Sequence, residues 1–212
     1  METNLLIVGK GDDILTMIFD NLASNGNNGT VNVFNNLNLD VFNKISHPSF
    51  NILMFDEVDV NHYPTFCLGV YNPSIKKTLV NKYSLDITKA INVIHSTLSK
   101  SDTVVLGNGI LINSLVSIAA HTIIGNYVSI NRNVSIGHHT TIGDFVSINP
   151  GVNIAGNVSI GEGTTIGMGT NVLNKIKIGS NTIVGAGSVV TKDLPDNVVA
   201  YGNPCKIIRD NI

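Results

Sequence analysis

Two adjacent histidines, His138 and His139, are followed eighteen positions later by Gly156 and Asn157. A neutral imidazole accepts a proton from an attacking amine or hydroxyl. A backbone N–H with no side chain in the way holds the charge that develops on a carbonyl oxygen. The combination suits acyl transfer, provided that the chain brings residue 138 against residue 156. An outward histidine on a repetitive surface is more often solvated than catalytic, so it is the glycine that singles out His138. His121 stands eighteen positions before His139, and two stacked imidazoles also admit a metal pair. The next residues at that spacing are Asn157 and Lys175, however, and neither completes a ligand set.

The spacing of eighteen comes from a shorter period. Fifteen aliphatic residues recur every six positions, from Leu106 and Ile112 through Ile130, Ile136, Ile154 and Val172 to Val190. The residues two places earlier, among them Val104, Ile110, Thr122, Val134 and Ser188, are small or β-branched. Such a hexapeptide repeat marks a parallel β-helix. Three hexads make one turn of a triangular prism, so each residue stacks on the one eighteen later at about 4.8 Å, the spacing of paired strands. A helix would show a period of 3.6 and a simple strand a period of two. The position after the aliphatic slot is often Gly or Asn, as at Gly107, Gly137, Gly161 and Asn131, and these residues are expected to supply the positive φ of a tight corner. Fifteen hexads predict five coils.

The bulk numbers narrow the function classes. The chain has 212 residues, 43% hydrophobic and 13% charged, with a net charge of −2. It has no basic run for nucleic acid. The apolar stretch Leu5 to Val8 is too short for a leader or a membrane span, so a cytoplasmic protein without membrane insertion is expected. Cys67 and Cys205 do not form a disulfide framework or a C-x-x-C motif.

Before residue 100, short apolar runs alternate with polar stretches, which predicts a small open α/β sheet. Its first strand ends in Gly9-Lys10-Gly11, followed by Asp12-Asp13. A glycine turn from strand to helix is where α/β folds hold anions. A tight turn with an aspartate capping the helix explains the same residues. Residues 96–102 read as a linker. Beyond Leu194, the prolines at 195 and 204 are expected to end the ladder, and the tail to leave the prism axis and fold over its last coils.

The segment from Asn131 to Phe145, with Ala155-Gly156-Asn157-Val158 and the closing Gly202-Asn203-Pro204-Cys205-Lys206, resembles the sugar O- and N-acyltransferases of the sialic-acid and bacillosamine type. The resemblance implies an α/β plus all-β chain. Residues 1–99 would form a Rossmann-like nucleotide-sugar domain, 100–194 a left-handed β-helix, and 195–212 a tail over the last coils. It implies a homotrimer that binds acetyl-CoA between neighbouring helices and takes a nucleotide-linked amino sugar from the N-terminal domain. By position, His138 would be the general base, His139 its neighbour in the catalytic pair, and Gly156 the donor to the thioester oxygen. Ser147, Met168 and Ala186 would contact acetyl-CoA, with Lys206 and Arg209 on its phosphates. Asn131 would contact the sugar. Gly9, Lys10, Gly11, Asp12, Asp13, Asn35 and Asn36 would form the nucleotide subsite.

Three positions depart from the family pattern. An acidic residue usually follows the catalytic histidine, where this chain has His139; Asp144 is a candidate substitute. The family's Gly-x-Ser-Gly-His turn is here Gly9 to Asp13, with two carboxylates that repel a phosphate. The acidic pair after the second strand is replaced by Asn35-Asn36, which keeps hydrogen-bonding capacity without charge. The expected function is acetyl-CoA-dependent N-acetylation of an amino sugar in surface glycan biosynthesis, without a metal. The alternatives are O-acetylation of a sugar or sialic acid, a zinc carbonic anhydrase on the same kind of helix, and a non-catalytic nucleotide-sugar-binding scaffold.

Overall fold

The computed structural model describes residues 5–9, 12–35 and 46–212, with only the backbone given for Asp12, Asp13 and Asn61. Four short parallel strands open the chain: β1 (Leu5–Val8), β2 (Gly29–Phe34), β3 (Phe50–Phe55) and β4 (Thr65–Leu68), in the order β3-β2-β1-β4. Successive side chains of a strand face opposite sides, and β1 shows it. Leu5 and Ile7 pack with helix α1 (Asp12–Ser24), whereas Leu6 and Val8 join Leu79 of helix α2 (Pro73–Lys82). A sheet buried on both faces reads as a continuous apolar run, which is why Leu5 to Val8 has no polar member. Helix α2 begins where Asn72 accepts from the N–H groups of Ser74 and Ile75, with Pro73 in the first turn, both common N-terminal signals.

The rest of the chain winds into a prism of two-residue parallel strands on three faces. One face carries Leu111–Ile112, Ser129–Ile130, Ser147–Ile148 and Thr165–Ile166, and the N-terminal unit packs against it: Leu111 lies in the core shared with α1, and Tyr127 at its edge in the core shared with α2. We call it the docked face. The serine face carries Ser99–Lys100, Ser117–Ile118 and Ser135–Ile136, and the third face Val105–Leu106, Ile123–Ile124 and Thr141–Ile142. Register is eighteen throughout the central coils, with Ile136 opposite Ile154 and Ile124 opposite Ile142. The slots from Ile112 to Val190 are all buried, and the threonines and serines two places earlier, such as Thr122, Thr140 and Ser188, are fully enclosed. Each buried isoleucine contributes about 1.5–3 kcal/mol relative to an exposed one.

Three expectations need correction. The coil starts before residue 100: Val93–Ile94 pairs with Leu111–Ile112, and Ser99–Lys100 with Ser117–Ile118, so the segment expected as a linker forms the first turn. Hydrogen bonds to the next coil satisfy its backbone, although it lacks the full aliphatic pattern. The tail does not leave the axis either. Leu194 follows Val190 after four residues instead of six and bridges Ile178; Ala200 then pairs with Val184, so the last coil is shortened to sixteen residues. Val198–Gly202 extends the docked face and turns back into the antiparallel strand Cys205–Asp210. Finally, positive φ falls at the third place after the inward residue, as at His121, His139, Asn157 and Gly151, not at the glycines directly after it. Those glycines answer a different need. A β-carbon at Gly137 would lie 2.5 Å from Gly156 N and one at Gly161 2.4 Å from Ser180 N, so their absence lets consecutive coils close at the corner.

Candidate active site

The corner joining the serine face to the third face holds the histidines, and the ladder stacks residue on residue there. Asn157 N–H donates to His138 O, and His139 N–H to Ala120 O. The Nε2 edge of the His138 ring lies over Gly156: a β-carbon at 156 would sit 2.8 Å from both Nε2 and Cε1. The other edge is tied, with Nδ1 at 3.0 Å from Nδ1 of His139. The His139 ring in turn lies against His121, centroids 4.8 Å apart. Both rings of the pair are exposed. The Gly156 N–H donates to no described residue. An imidazole nitrogen and a free, unshielded N–H therefore share one open corner, the arrangement that proton removal and oxyanion stabilisation require. Among the described residues, no group of three His, Cys, Asp or Glu side chains could hold a metal ion.

Asp144 does not support His138. Its carboxylate takes the backbone N–H of Asn126 at 2.7 Å and the Asn126 side-chain amide at 3.3 Å, at a different corner.

Ser147 is also elsewhere, and is a correction. It is fully buried on the docked face, where its hydroxyl donates to Tyr71 O at 2.6 Å and accepts from Lys76 Nζ at 3.2 Å. No cofactor can reach it through α2. Lys76, which sequence reasoning missed, donates also to Ser129 Oγ at 2.7 Å and Tyr127 O at 2.9 Å. Burial pushes its ammonium down to about 7, because low dielectric disfavours the charged form. Nearby, the Tyr71 hydroxyl donates to Ile148 O. Nothing in the sequence singles out this row, because Ser117 and Ser135 hold the same slot of the repeat and are exposed.

Asn131, Met168 and Ala186 lie at the corner between the docked and serine faces, not with the histidines. Met168 and Ala186 are exposed. Asn131 is 7% exposed, its Oδ1 accepting from Asn113 Nδ2 at 3.0 Å and from Arg132 N at 2.8 Å. A cavity of about 600 Å³ runs between this corner and α1, lined by Met17, Asp20, Asn131, Arg132, Asn149 and Met168. Arg132 and the α1 residues are new to the site; only the asparagines flanking Arg132 hinted at a polar corner. Lys206 and Arg209 are exposed on the terminal strand, with Arg209 Nη1 donating to Asp210 O.

At the carboxyl ends of β1 and β2, Gly9 adopts φ +98° and its N–H donates to Phe34 O. Asn35 donates from Nδ2 to Asp56 at 3.1 Å, and its buried Oδ1 has no partner among the described residues. A carboxylate thus stands beside Asn35 after all, supplied by the end of β3. Lys10, Gly11 and Asn36 lie outside the described residues, as do the side chains of Asp12 and Asp13.

Residues 139–174 and 157–192 match the family described as bacterial transferase hexapeptide (six repeats). No protein of curated function matches the sequence. The perosamine N-acetyltransferase of Caulobacter crescentus, solved with CoA and GDP-perosamine, superimposes with a TM-score of 0.83 at 26% identity, covering 97% of each chain. The acetyltransferase domain of PglB from Neisseria gonorrhoeae, in complex with acetyl coenzyme A, gives 0.83 at 22% identity, covering 97% of this chain and 99% of that one. WeeI from Acinetobacter baumannii gives 0.75 at 20% identity, covering 96% and 100%; these last two likenesses concern the fold. The chain thus carries the bacterial transferase hexapeptide repeat over residues 139–192 and along nearly its whole length is similar to sugar acetyltransferases.

Proposed function

We propose that the protein transfers the acetyl group of acetyl-CoA to the amine of a nucleotide-linked sugar. The observation that carries this reading is the pairing of the His138 Nε2 edge with the free N–H of Gly156. In this scheme His138 removes a proton from the amine as it attacks the thioester carbonyl. The Gly156 N–H holds the negative charge on the carbonyl oxygen. His138 then returns the proton to the departing thiolate, so the imidazole ends each turnover neutral.

The reading includes a left-handed winding of the prism and a Rossmann-like nucleotide subsite at the ends of β1 and β2, where Gly9, Asn35 and Asp56 meet. It also includes a homotrimer. His138 occupies one corner, and Met168, Ala186 and the cavity at α1 occupy another, and a ligand lying between two copies of the chain would meet one set from each. The exposed Val105 and Ile123 of the third face suit such packing. Lys206 and Arg209 offer charges for the phosphates of the coenzyme.

The test is to incubate the protein with acetyl-CoA and a panel of nucleotide-linked amino sugars, GDP-perosamine included, and to follow thiol release and product mass. A mass gain of one acetyl group, stable to mild alkali, identifies an amide; an alkali-labile product identifies an ester. The variant His138→Ala is expected to lose at least about 10²-fold in turnover. Near-normal turnover in the intact oligomer rejects the base.

A further inference from the structure

For His138 to act through Nε2, its Nδ1 must carry the ring's one proton, and something must accept it. In this corner the acceptor is a second imidazole: Nδ1 of His139, at 3.0 Å. The rings stand at 87° to one another and so are not stacked; their closest polar contact is between the two Nδ1 atoms. Asp144, the carboxylate the sequence offered for this role, is bound to Asn126 at a different corner. The titratable group packed against the pair is His121, one coil below, and the next charge along the same corner is Lys175, two coils above His139 with Asn157 between.

We infer that His139 is a positioning residue, which as a neutral Nε2–H imidazole accepts the Nδ1 proton of His138 and so fixes the Nε2 lone pair of His138 toward the reacting amine. The inference rests on His138 being the base. A neutral imidazole has one donor and one acceptor nitrogen, so the two rings can form this bond in only two ways. Only the way with the proton on His138 leaves a lone pair at Gly156. When His138 takes the amine proton, the same bond becomes charge-assisted and stronger. A protonated His139 has no acceptor nitrogen and cannot perform the task.

Nitrogen-15 correlation spectra of the imidazoles in the full-length protein read the tautomers directly. His138 is expected with its proton on Nδ1 and His139 with its proton on Nε2. The variant His139→Gly suits the left-handed backbone at this position, where φ is +56° and where Gly151 and Gly169 stand in equivalent corner slots. It is expected to return His138 to the mixed tautomers of a free ring and to lower kcat about tenfold to hundredfold, with KM for acetyl-CoA unchanged. His139→Asn, with an Oδ1 to accept the same bond, is expected to restore most of both. In His139→Glu, a carboxylate favours the imidazolium form and moves the acid limb of the rate profile to higher pH than in the wild type. Mixed tautomers at His138 in the wild type, or an unchanged kcat in His139→Gly, overturns the inference. If instead His138→Ala keeps its turnover, the acyl-transfer reading fails while the spectra still decide whether the two rings are paired.

Discussion

Two corners of the prism put the same backbone geometry to different uses. Between the third face and the docked face, the N–H groups of Asn108, Asn126 and Ser180 each point out of the coil, and each is taken by a side chain from the following turn. The acceptors are Asn126 Oδ1 at 3.0 Å, Asp144 Oδ1 at 2.7 Å and Asp196 Oδ1 at 2.6 Å. At the histidine corner, Gly156 occupies the matching place, two residues after the inward Ile154, and its N–H stays open. The following turn there offers Asn174, which does not cap it. A coil of this kind leaves an outward N–H at a corner, and the residue stacked on it decides whether that group is a structural bond or an electrophilic site. The capped corner also lies under α2 and Lys76, while the open one faces outward with both histidines.

The largest expected difference between the corners comes from adding one methyl group at the open one. Gly156→Ala places a β-carbon 2.8 Å from the His138 ring. A side-chain ring can swing aside, so stability should change little, but the base leaves its place beside the N–H. Turnover should fall about 10²-fold or more, a barrier increase of about 2.7 kcal/mol; steady-state kinetics next to a thermal melt would separate the two effects. Normal kinetics in that variant would mean that the open corner is not where the chemistry occurs.

The docked side should show a titration of its own. Lys76 lies at about 7 in the folded protein through burial but near its ordinary value of about 10.5 in the unfolded chain. Between those values the unfolded chain holds the proton and the folded one releases it. Stability should therefore rise as pH climbs from about 7 toward 10.5, by at most about 1.4 kcal/mol per pH unit, and this contribution is absent below 7. Urea denaturation across that range, compared with Lys76→Met, would test it; equal slopes in both proteins would show that the ammonium is not disfavoured by burial. The smallest effect is expected at the capped corner. Asp144→Ala removes the acceptor of the Asn126 N–H and should cost about 1 kcal/mol without lowering kcat. A marked loss of turnover would reinstate Asp144 as support for His138.

The pairing of His138 with Gly156 was legible because a strict period of six fixes which residues stack, whatever surrounds the coil. The shortened last turn was legible in principle too: Leu194 and Ala200 stand six apart like their predecessors, and only the four-residue step from Val190 hid them. Ser147 was not legible. Its hexad looks like its neighbours, since the three faces of a prism carry the same inward pattern, and the choice of face for docking lies with residues of α2 such as Lys76, 71 positions away. Lys76 was invisible for a related reason. A lysine followed by another on a short helix reads as solvated until the hydroxyls of Ser129 and Ser147 are found above it.

What the sequence determined by itself is periodic: the coil, its inward slots, its corners, and the meeting of an imidazole with a bare amide one turn apart. These follow from local geometry repeated at a fixed interval. The tertiary structure decided which face is covered, where Asp144 and Asn35 find their partners, and that His139 turns its ring nitrogen to His138. Those outcomes depend on side-chain directions and on contacts between segments far apart in the chain, which no spacing rule contains.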